Sequence, residues 1–352
     1  MSETIQAAVL GATGYVGGEL LRLTAAHPNF ELAAAVSESR AGTPIHESFG
    51  HLASAFGGAD FSSPDNWLDT IADNSRLALF SAAPHGASAG MLEDVLSRAA
   101  AKNIDAHVVD ASADFRFAER DAYERIYGAH GAPDLLPQFS SGVPEHHGAP
   151  TTPHVGNPGC FATAMLLAIV PVLRSGLGNG AFQASGITGS TGSGRQPQAG
   201  THHPVRHSNL YAYKPLAHRH APEVVALAEL ASGHTPTLHF VPHSGPFARG
   251  IHMTVFTTLA DGVSEDQVRA AFVACYGDAA FVQLVAGTPR LKDVVASNYA
   301  ALGVATSGRQ LVVTCVIDNL VKGAAGSAMQ WMNRLFSLPD SRGLEAAAPA
   351  WT

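Results

Sequence analysis

Residues 5–23 have the sequence IQAAVLGATGYVGGELLRL. The apolar segment at 5–10 is typical of a short buried strand, and the residues after the glycines have a helical pattern. Between them, Gly11, Gly14 and Gly17 allow a tight turn and let a pyrophosphate approach the backbone at the amino end of the helix. Glycine-rich turns are common, but this one has the strand, turn and helix order that a dinucleotide-binding site requires.

Short apolar segments alternate with a helical pattern through the first half of the chain. Further strands are predicted at 31–36, 77–81 and 105–110, with a helix at 88–101 and irregular connections over 123–153. Strands that alternate with helices predict a doubly wound parallel sheet, so we expect an α/β Rossmann-like domain.

The pattern changes near residue 156. Four strands are predicted beyond it, at 181–188, 238–242, 251–258 and 311–318. With few long helices between them, they predict a second, α+β domain with a mostly antiparallel sheet. We therefore expect a dinucleotide-binding domain over residues 1–155, completed by the C-terminal segment 325–352, and a catalytic and oligomerisation domain over 156–324.

The residues after the second predicted strand indicate the kind of cofactor. An NAD site usually has an acidic residue at this strand end, where the chain has Ser37. Ser39 and Arg40 instead suit the 2′-phosphate of NADP. Glu38 is the alternative, because its carboxylate could hold the ribose of NAD, and a plain solvated loop also stays open. The sequence favours NADP.

A second stretch, GNPGCFAT at 156–163, contains one of only three cysteines. Pro158 suits the opening of a helix, which places Cys160 in or just before the first turn. The free N–H groups and dipole of a helix amino end favour the nucleophilic thiolate. Free cysteine is also among the most buried residue types, so a packing role stays open. Cys275 and Cys315 are interpreted as packing residues.

Two histidines and several polar loops could complete a site around Cys160. His218 and His220, spaced i, i+2, are candidates for acid–base chemistry, although either could simply bind loop backbone groups. The glycine-rich run 189–195 suits an anion through its N–H groups and its arginine, or is a flexible loop. Loops that follow predicted strands lie where ligands bind in open α/β sheets. The candidate substrate-binding residues are Ser112, Arg116, Asn157, Ser190, Arg195 and Arg249, and Pro84 is a candidate cofactor contact.

Composition excludes several classes of protein. The formal net charge is −8, which argues against a nucleic-acid surface. The longest apolar run, 161–173, is too short to cross a bilayer. Few cysteines and no signal-peptide pattern predict a cytoplasmic protein. His203 and His207 are four residues apart, but Pro204 breaks any helix there and no zinc motif accompanies them, so no metal is expected.

A nicotinamide site, a nucleophilic cysteine and a histidine together define a reaction class. The thiolate attacks an activated acyl carbon, a thioester forms, and hydride from NADPH converts it to an aldehyde. A cysteine hydrolase would lack the nicotinamide site, and a plain dehydrogenase would lack the nucleophilic cysteine.

The chain resembles the N-acetyl-γ-glutamyl-phosphate reductases of arginine biosynthesis over nearly its whole length. The shared motifs are the glycine run 11–17, Ala113-Asp114-Phe115-Arg116, Pro158-Gly159-Cys160, His218-Arg219-His220-Ala221-Pro222-Glu223, Arg249-Gly250-Ile251 and Asp318-Asn319-Leu320-Val321-Lys322-Gly323. The resemblance implies an NADP-dependent oxidoreductase that acts on an acyl phosphate and assembles as a homo-oligomer, a dimer or tetramer, through its second domain.

The resemblance also assigns roles to single residues. It implies that Cys160 is the nucleophile, with His218 as acid–base group ahead of His220. It implies that Asn319 lies near the nicotinamide. The other residues that it places against NADP are Thr13, Gly14, Tyr15, Val16, Ser37, Glu38 and Ser39.

Some residues depart from this family. Phe161-Ala162 stands where the arginine branch usually has Tyr-Pro, and residues 201–206 and 212–215 resemble a sister branch that reduces a carrier-bound amino-adipyl phosphate in lysine biosynthesis. The net negative charge favours the free N-acylglutamyl substrate. Two further functions stay open, aspartate-semialdehyde dehydrogenase chemistry and non-catalytic sensing of NADP.

Overall fold

The computed structural model describes residues 4–349, which divide into two compact units. The first comprises residues 4–141, 149–157 and 325–345, and the second comprises 142–148, 158–324 and 346–349. The second unit therefore also takes in a short segment before the predicted boundary near 156. Residues 1–3 and 350–352, the ends of the predicted segments 1–155 and 325–352, lie outside the described residues.

The strands and helices are numbered in chain order. The strands are β1 (Ile5–Leu10), β2 (Phe30–Val36), β3 (Arg76–Ser81), β4 (Asp105–Asp110), β5 (Phe139–Ser141), β6 (His154–Gly156), β7 (Gly178–Thr188), β8 (Tyr211–Ala212), β9 (Thr237–Ser244), β10 (Ile251–Leu259), β11 (Val282–Val285), β12 (Ala300–Ser307) and β13 (Gln310–Ile317). The helices are α1 (Tyr15–Ala26), α2 (Ile45–Ser48), α3 (Ala53–Phe56), α4 (Ser88–Ala101), α5 (Arg120–Tyr127), α6 (Cys160–Arg174), α7 (His203–Arg206), α8 (His220–Ser232), α9 (Glu265–Tyr276) and α10 (Gly326–Leu335).

The first unit contains a parallel six-stranded sheet in the order β2-β1-β3-β4-β6-β5. Its central strands are buried along most of their length, as expected for a parallel sheet covered on both faces. The predicted doubly wound α/β domain is confirmed. Helix α10 packs on β4 and α1, so the C-terminal segment contributes to this unit.

The predicted irregular region 123–153 is partly wrong. It contains the end of α5 and all of β5, and β6 follows directly at His154–Gly156. β6 pairs with β4 and β5, which extends the parallel sheet by two strands. Each of these strands has three residues, which is too short for an apolar periodicity to show in the sequence.

The second unit contains a seven-stranded sheet in the order β11-β12-β13-β10-β7-β9-β8. The pairings β11–β12 and β7–β9 are parallel and the other four are antiparallel, which confirms the predicted mostly antiparallel sheet. Every residue from 161 to 173 of α6 is buried. An all-round apolar helix belongs in a core, and α6 packs on β10, β13 and α8.

The start of α9 shows how local sequence sets a helix boundary. Ser264 is the N-cap: its hydroxyl accepts the backbone N–H of Gln267, and the Gln267 side chain accepts the N–H of Ser264. Such a capping box satisfies two donors that the first turn would leave open. Among residues 4–349, no helix combines the length and apolar character needed to span a membrane.

Acid should destabilise the first unit through His154. This residue is 4% exposed, and its Nδ1 accepts the backbone N–H of Val108. Burial, followed by the charge of His107, lowers the pKa of His154 from 6.5 to about 4. The unfolded chain therefore takes up the proton first, and stability present above pH 6.5 is lost as the pH falls toward 4.

We expect His154 to account for a loss of about 2 kcal/mol in the free energy of unfolding between pH 7 and pH 5. Urea denaturation at both pH values measures this loss. The His154→Gln variant keeps an acceptor but does not titrate, so its loss should be smaller by that amount. Equal losses in the two proteins would contradict the assignment.

Candidate active site

The glycine turn lies between β1 and α1 in the first unit. Gly11 has φ +69°, and a Cβ there would lie 2.5 Å from the carbonyl oxygen of Ala82. Gly17 similarly packs against the carbonyl oxygen of Gly11. At Gly14, the N-cap of α1, a Cβ would meet only the Gly11 oxygen at 3.5 Å. Chain packing therefore explains two of the glycines, whereas Gly14 fits the close approach of a phosphate to the helix amino end.

The predicted adenosine-side residues follow β2. Ser37 is buried, and its hydroxyl lies 3.4 Å from that of Thr13, which joins the strand end to the glycine turn. Glu38, Ser39 and Arg40 are exposed. The side chains of Glu38 and Arg40 make no ion pair among the described residues, so both remain available to a ligand. Tyr15 is 36% exposed and Val16 is half-buried at the start of α1.

The loops after β3 and β4 are joined to each other. Asp114 accepts the backbone N–H groups of Gly86 and Ala89, and His85 Nδ1 accepts the N–H of Ala113. These bonds hold the exposed Pro84 loop at the carboxyl edge of the sheet, where open α/β sheets bind ligands. Cofactor contact by Pro84 stays a prediction.

The predicted substrate residues of this unit are buried and bound to protein groups. Ser112 is 1% exposed, and its hydroxyl donates to Asp110. Arg116 is 5% exposed and donates to the carbonyl oxygens of Asn157 and Ala111. Asn157 is itself 1% exposed. The contacts of Ser112 and Arg116 order the loop after β4, and substrate contact by these three residues stays a prediction.

Cys160 is the first residue of α6 in the second unit. Gly159 is the N-cap, so Pro158 lies one residue before the N-cap rather than inside the helix. Cys160 is half-buried, whereas Phe161 and the residues after it are fully buried in the core. The apolar helix thus anchors the cysteine at its amino end and leaves the residue partly exposed. This arrangement favours the reactive interpretation of Cys160 over packing.

Two residues hold the start of α6. Glu223, fully buried on α8, accepts the backbone N–H of Gly159 at 2.7 Å. On the other side, a Cβ at Gly323 would lie 2.7 Å from the Cβ of Cys160. Sequence reasoning assigned neither of these roles. Two sequence features could have indicated these roles. Glu223 lies in the first turn of α8, and Gly323 ends the motif at 318–323, whose other residues are all larger.

His218 packs against the residue that follows Cys160. Its ring is 5.6 Å from the ring of Phe161, the neighbour of Cys160, and 4.7 Å from the ring of His220. Its Nδ1 accepts the backbone N–H of His220, so in the neutral ring the proton is on Nε2. Burial, then the charges of Arg219 and Lys214, lower the pKa of His218 to about 4. At neutral pH His218 is therefore an uncharged hydrogen-bond donor.

His220 has a different position. It begins α8 and is 8% exposed, whereas His218 is half-buried. Its backbone N–H orients the His218 ring. Of the two candidates, His218 is the one more accessible to a substrate.

The glycine-rich run after β7 is less suited to an anion than predicted. The backbone N–H groups of Gly189, Ser190 and Thr191 donate to carbonyl oxygens of residues 250, 247 and 248, respectively. Residues 190–193 form a 3-10 turn, and Arg195 is exposed. The N–H groups of residues 189–191 therefore fix the turn in place, and substrate binding by Ser190 and Arg195 stays a prediction.

Arg249 and Asn319 also have protein partners. Arg249 forms a two-point ion pair with the buried Asp318, through Nε at 2.9 Å and Nη2 at 3.1 Å. Asn319 is 2% exposed, accepts the N–H of Gly250 and donates to the Thr191 hydroxyl. Both residues order the 189–192 turn and the start of β10. The ion pair gives Arg249 a structural role, and substrate binding by Arg249 stays a prediction.

Metal ligands do not assemble in the part of the chain that the structure describes. No group of three His, Cys, Asp or Glu side chains lies close enough there to hold an ion. The rings of His203 and His207 lie 5.1 Å apart without such a third partner.

Two family models match the chain. The semialdehyde dehydrogenase NAD binding domain matches residues 6–151, and the semialdehyde dehydrogenase dimerisation domain matches residues 160–319. Together they cover both structural units. They support a nicotinamide cofactor and an oligomer of this chain.

Curated relatives match over almost the whole length. N-acetyl-gamma-glutamyl-phosphate reductase from Azotobacter vinelandii is 36% identical over 98% of this chain and 99% of the relative. The enzymes of that name from Alkalilimnicola ehrlichii and Methanosarcina mazei are 38% and 36% identical, over 98% and 99% of this chain and 99% and 100% of the relatives.

Solved structures share the fold at low sequence identity. Aspartate semialdehyde dehydrogenase II from Vibrio cholerae, complexed with ASA, has a TM-score of 0.69 at 16% identity, over 96% of this chain and 99% of that chain. The Candida albicans enzyme with NADP has a TM-score of 0.66 at 14% identity, over 95% and 99%. From the relatives and the two domain models together, the chain belongs to the N-acetyl-gamma-glutamyl-phosphate reductase family.

Proposed function

We propose that this protein reduces an N-acyl-γ-glutamyl phosphate to the corresponding semialdehyde and inorganic phosphate, with NADPH as reductant and a thioester on Cys160 as intermediate. The observation that carries the proposal is the half-buried Cys160 at the start of a buried helix, with a neutral His218 packed against the adjacent Phe161. The names of the relatives supply the substrate, and this chain's own residues supply the chemistry.

The first step is acyl transfer. The Cys160 thiolate attacks the acyl carbon, the bond from that carbon to the phosphate oxygen breaks, and phosphate leaves with the bonding electron pair. The backbone contact from Glu223 and the close packing of Gly323 fix the sulfur position during this step. Fixed positioning of a nucleophile is itself a large part of enzymatic rate enhancement.

His218 acts on the acyl oxygen. Its neutral ring, with the proton on Nε2, can donate a hydrogen bond to the negative oxygen that develops when the carbon becomes tetrahedral. A pKa of about 4 makes the ring a weak base near neutral pH, so we assign it electrostatic stabilisation rather than storage of the thiol proton. His220 is a positioning residue that orients this ring.

The cofactor residues are in the first unit. Gly14 and the amino end of α1 suit the pyrophosphate, and the exposed residues after β2 suit the adenosine end. When bound, a nicotinamide supplies the hydride that reduces the thioester. The carbon–sulfur bond then breaks, which releases the aldehyde and restores the Cys160 thiolate.

We propose NADP rather than NAD because the Arg40 guanidinium is exposed and makes no ion pair among the described residues. Replacing it by alanine should raise the KM for NADP about 10-fold or more, since an arginine–phosphate pair is a strong charge-assisted contact. The KM for NAD should stay within about 2-fold, because NAD lacks the 2′-phosphate. Steady-state kinetics with both cofactors measures the change, and equal effects on the two would contradict the assignment. Arg290→Gln, on an exposed arginine of the second unit, is the control.

The function is tested in the reverse direction with purified protein. N-acetylglutamate semialdehyde, phosphate and NADP should give NADPH, followed by its absorbance, and omission of phosphate should stop the reaction. No turnover with these reactants, but turnover with a carrier-bound amino-adipyl semialdehyde, would overturn the choice of substrate.

The carrier-bound alternative keeps some support from the surface. His202, His203 and Lys214 are exposed in the two segments, 201–206 and 212–215, that resemble the sister branch. Basic and histidine side chains of this kind suit an acidic carrier protein. Comparison of free and carrier-bound semialdehydes at equal concentration distinguishes the two functions.

A further inference from the structure

Arg206, at the end of α7, is a buried arginine without an acidic partner. It is 7% exposed. Its Nη1 donates to the Ser244 hydroxyl, and its Nη2 lies 3.4 Å from the carbonyl oxygen of Thr188. Its buried Nε has no hydrogen-bond partner. No Asp or Glu oxygen lies within ion-pair distance of Arg206 in the described part of the chain. A buried guanidinium in neutral surroundings is costly, which is why such groups are normally paired.

Arg249 shows what the same group does when a carboxylate is present. It binds both oxygens of Asp318 through Nε and Nη2, the two nitrogens on one edge of the guanidinium. This two-point geometry is the preferred way for arginine to hold a carboxylate. On Arg206 the equivalent edge has an unpartnered Nε and one long contact at Nη2. Arg206 therefore has the donors for an incoming carboxylate.

A cavity lies beside Arg206. Its volume is about 270 Å³, and Arg206 lines it together with Ser190, Thr201, His203, His207 and Phe247. None of its lining residues is acidic. The cavity has room for several heavy atoms, and the arginine and the hydroxyl groups favour an anionic ligand.

Strand pairing links the cavity to the predicted acid–base residue. Ser244, whose hydroxyl accepts from Arg206, pairs with Tyr211 of β8. Tyr213 follows directly after β8 and packs 5.7 Å from His218, ring to ring. Burial raises the pKa of Tyr213, and the positive charge of Arg206 lowers it, in agreement with this placement. Arg206 therefore lies on the elements that hold His218 and not on a remote surface.

We propose that Arg206 binds the α-carboxylate of the substrate and so selects N-acylated α-amino acids that carry an acyl phosphate at the far end of the side chain. The inference rests on the proposed function and adds to it the residue that recognises the substrate's other end. A carboxylate matches the edge geometry seen at Arg249. The α-carboxylate is present on free and carrier-bound substrates alike, so the assignment holds for both.

A phosphate oxyanion has the same chemistry, and kinetics distinguish the two sources. In the reverse reaction, Arg206→Gln should lower kcat/KM for N-acetylglutamate semialdehyde about 100-fold, as for loss of a buried charge partner. The KM for phosphate should stay within about 2-fold. A rise in the phosphate KM with an unchanged semialdehyde KM would assign the site to phosphate and overturn the proposal.

The substrate can be changed instead of the protein. The α-carboxamide of the same semialdehyde should be a poorer substrate of the wild type by about 100-fold, and Arg206→Gln should use it nearly as well as the wild type does. If Arg206→Gln instead lost activity equally on the carboxylate and on the carboxamide, relative to the wild type, Arg206 would be only structural. Arg206→Lys should recover part of the discrimination, and Arg290→Gln, on an exposed arginine, should leave it unchanged.

A binding measurement separates this inference from the proposed function. Calorimetric titration with N-acetylglutamate and with its α-carboxamide needs no turnover. Binding of the carboxylate alone, lost in Arg206→Gln, would support the site even if the wild type proved inactive in the reductase assay. Equal binding of both compounds to the wild type would overturn the site even if that assay succeeded.

Discussion

Replacement of Cys160 by serine should abolish turnover, with kcat lower by a factor on the order of 10⁵. Serine has nearly the same shape, but its hydroxyl is not ionised at neutral pH and cannot form the acyl intermediate at a useful rate. The reverse assay with semialdehyde, phosphate and NADP measures the loss. The free energy of unfolding should stay within about 1 kcal/mol, since the side chain is half-buried and the substitution is small.

The matched control is Cys275→Ser, a change of the same kind on α9. Cys275 is also half-buried, and we expect its replacement to leave kcat and KM unchanged. Rapid alkylation near neutral pH should modify Cys160 and remove activity in parallel. A protein that keeps turnover without the Cys160 sulfur would rule out the thioester route, and a non-catalytic NADP-binding sensor would bind the cofactor equally well with and without it.

Lys322→Met should cost about 3–5 kcal/mol in the free energy of unfolding, because it leaves a buried carboxylate without its charge partner. Lys322 is fully buried and Glu145 is 2% exposed, and the two form an ion pair. The Lys322 ammonium also lies 5.7 Å from the ring centre of Phe281. Urea denaturation measures the effect, with Arg290→Gln at an exposed ion pair as the control.

The double variant Lys322→Met/Glu145→Leu isolates the cause. Replacement of both charges by apolar groups should recover most of the lost stability, because the desolvation cost disappears with the charges. Activity should fall in the single variant and recover in the double variant. Lys322 lies in the π-helical turn Val321–Ala325 that brings Gly323 against Cys160. A double variant as unstable as the single one would show that packing, and not charge pairing, holds this turn.

Local patterns in the sequence predict much of the fold. Helix α4 begins and ends at the predicted residues, 88 and 101, and β1 and β4 also match. The glycine spacing at 11–17 predicts the strand, turn and helix that the structure contains. These features succeed because apolar periodicity and glycine spacing act over a few residues. Strands β5 and β6 fail for the same reason, since three residues are too few to show a period.

Long-range contacts decide the site. Arg249 was predicted only as a substrate-binding candidate, whereas its ion-pair partner Asp318, 69 residues away in sequence, could not be predicted. Glu223 fixes the start of α6 across 64 residues. The proton position on His218 depends on one backbone N–H, and its low pKa depends on burial. None of these effects can be calculated from spacing along the chain.

The sequence by itself determined the two domain types, the nucleotide turn and the cysteine at the start of an apolar helix, because each depends on neighbouring residues. The tertiary structure alone decided which arginine lacks a carboxylate, since Arg249 and Arg206 differ only in what the fold brings beside them. It also decided that His218 is uncharged and that the N–H groups of residues 189–191 are occupied. Burial and hydrogen-bond partners are properties of packed surfaces, and these form between segments far apart in the chain.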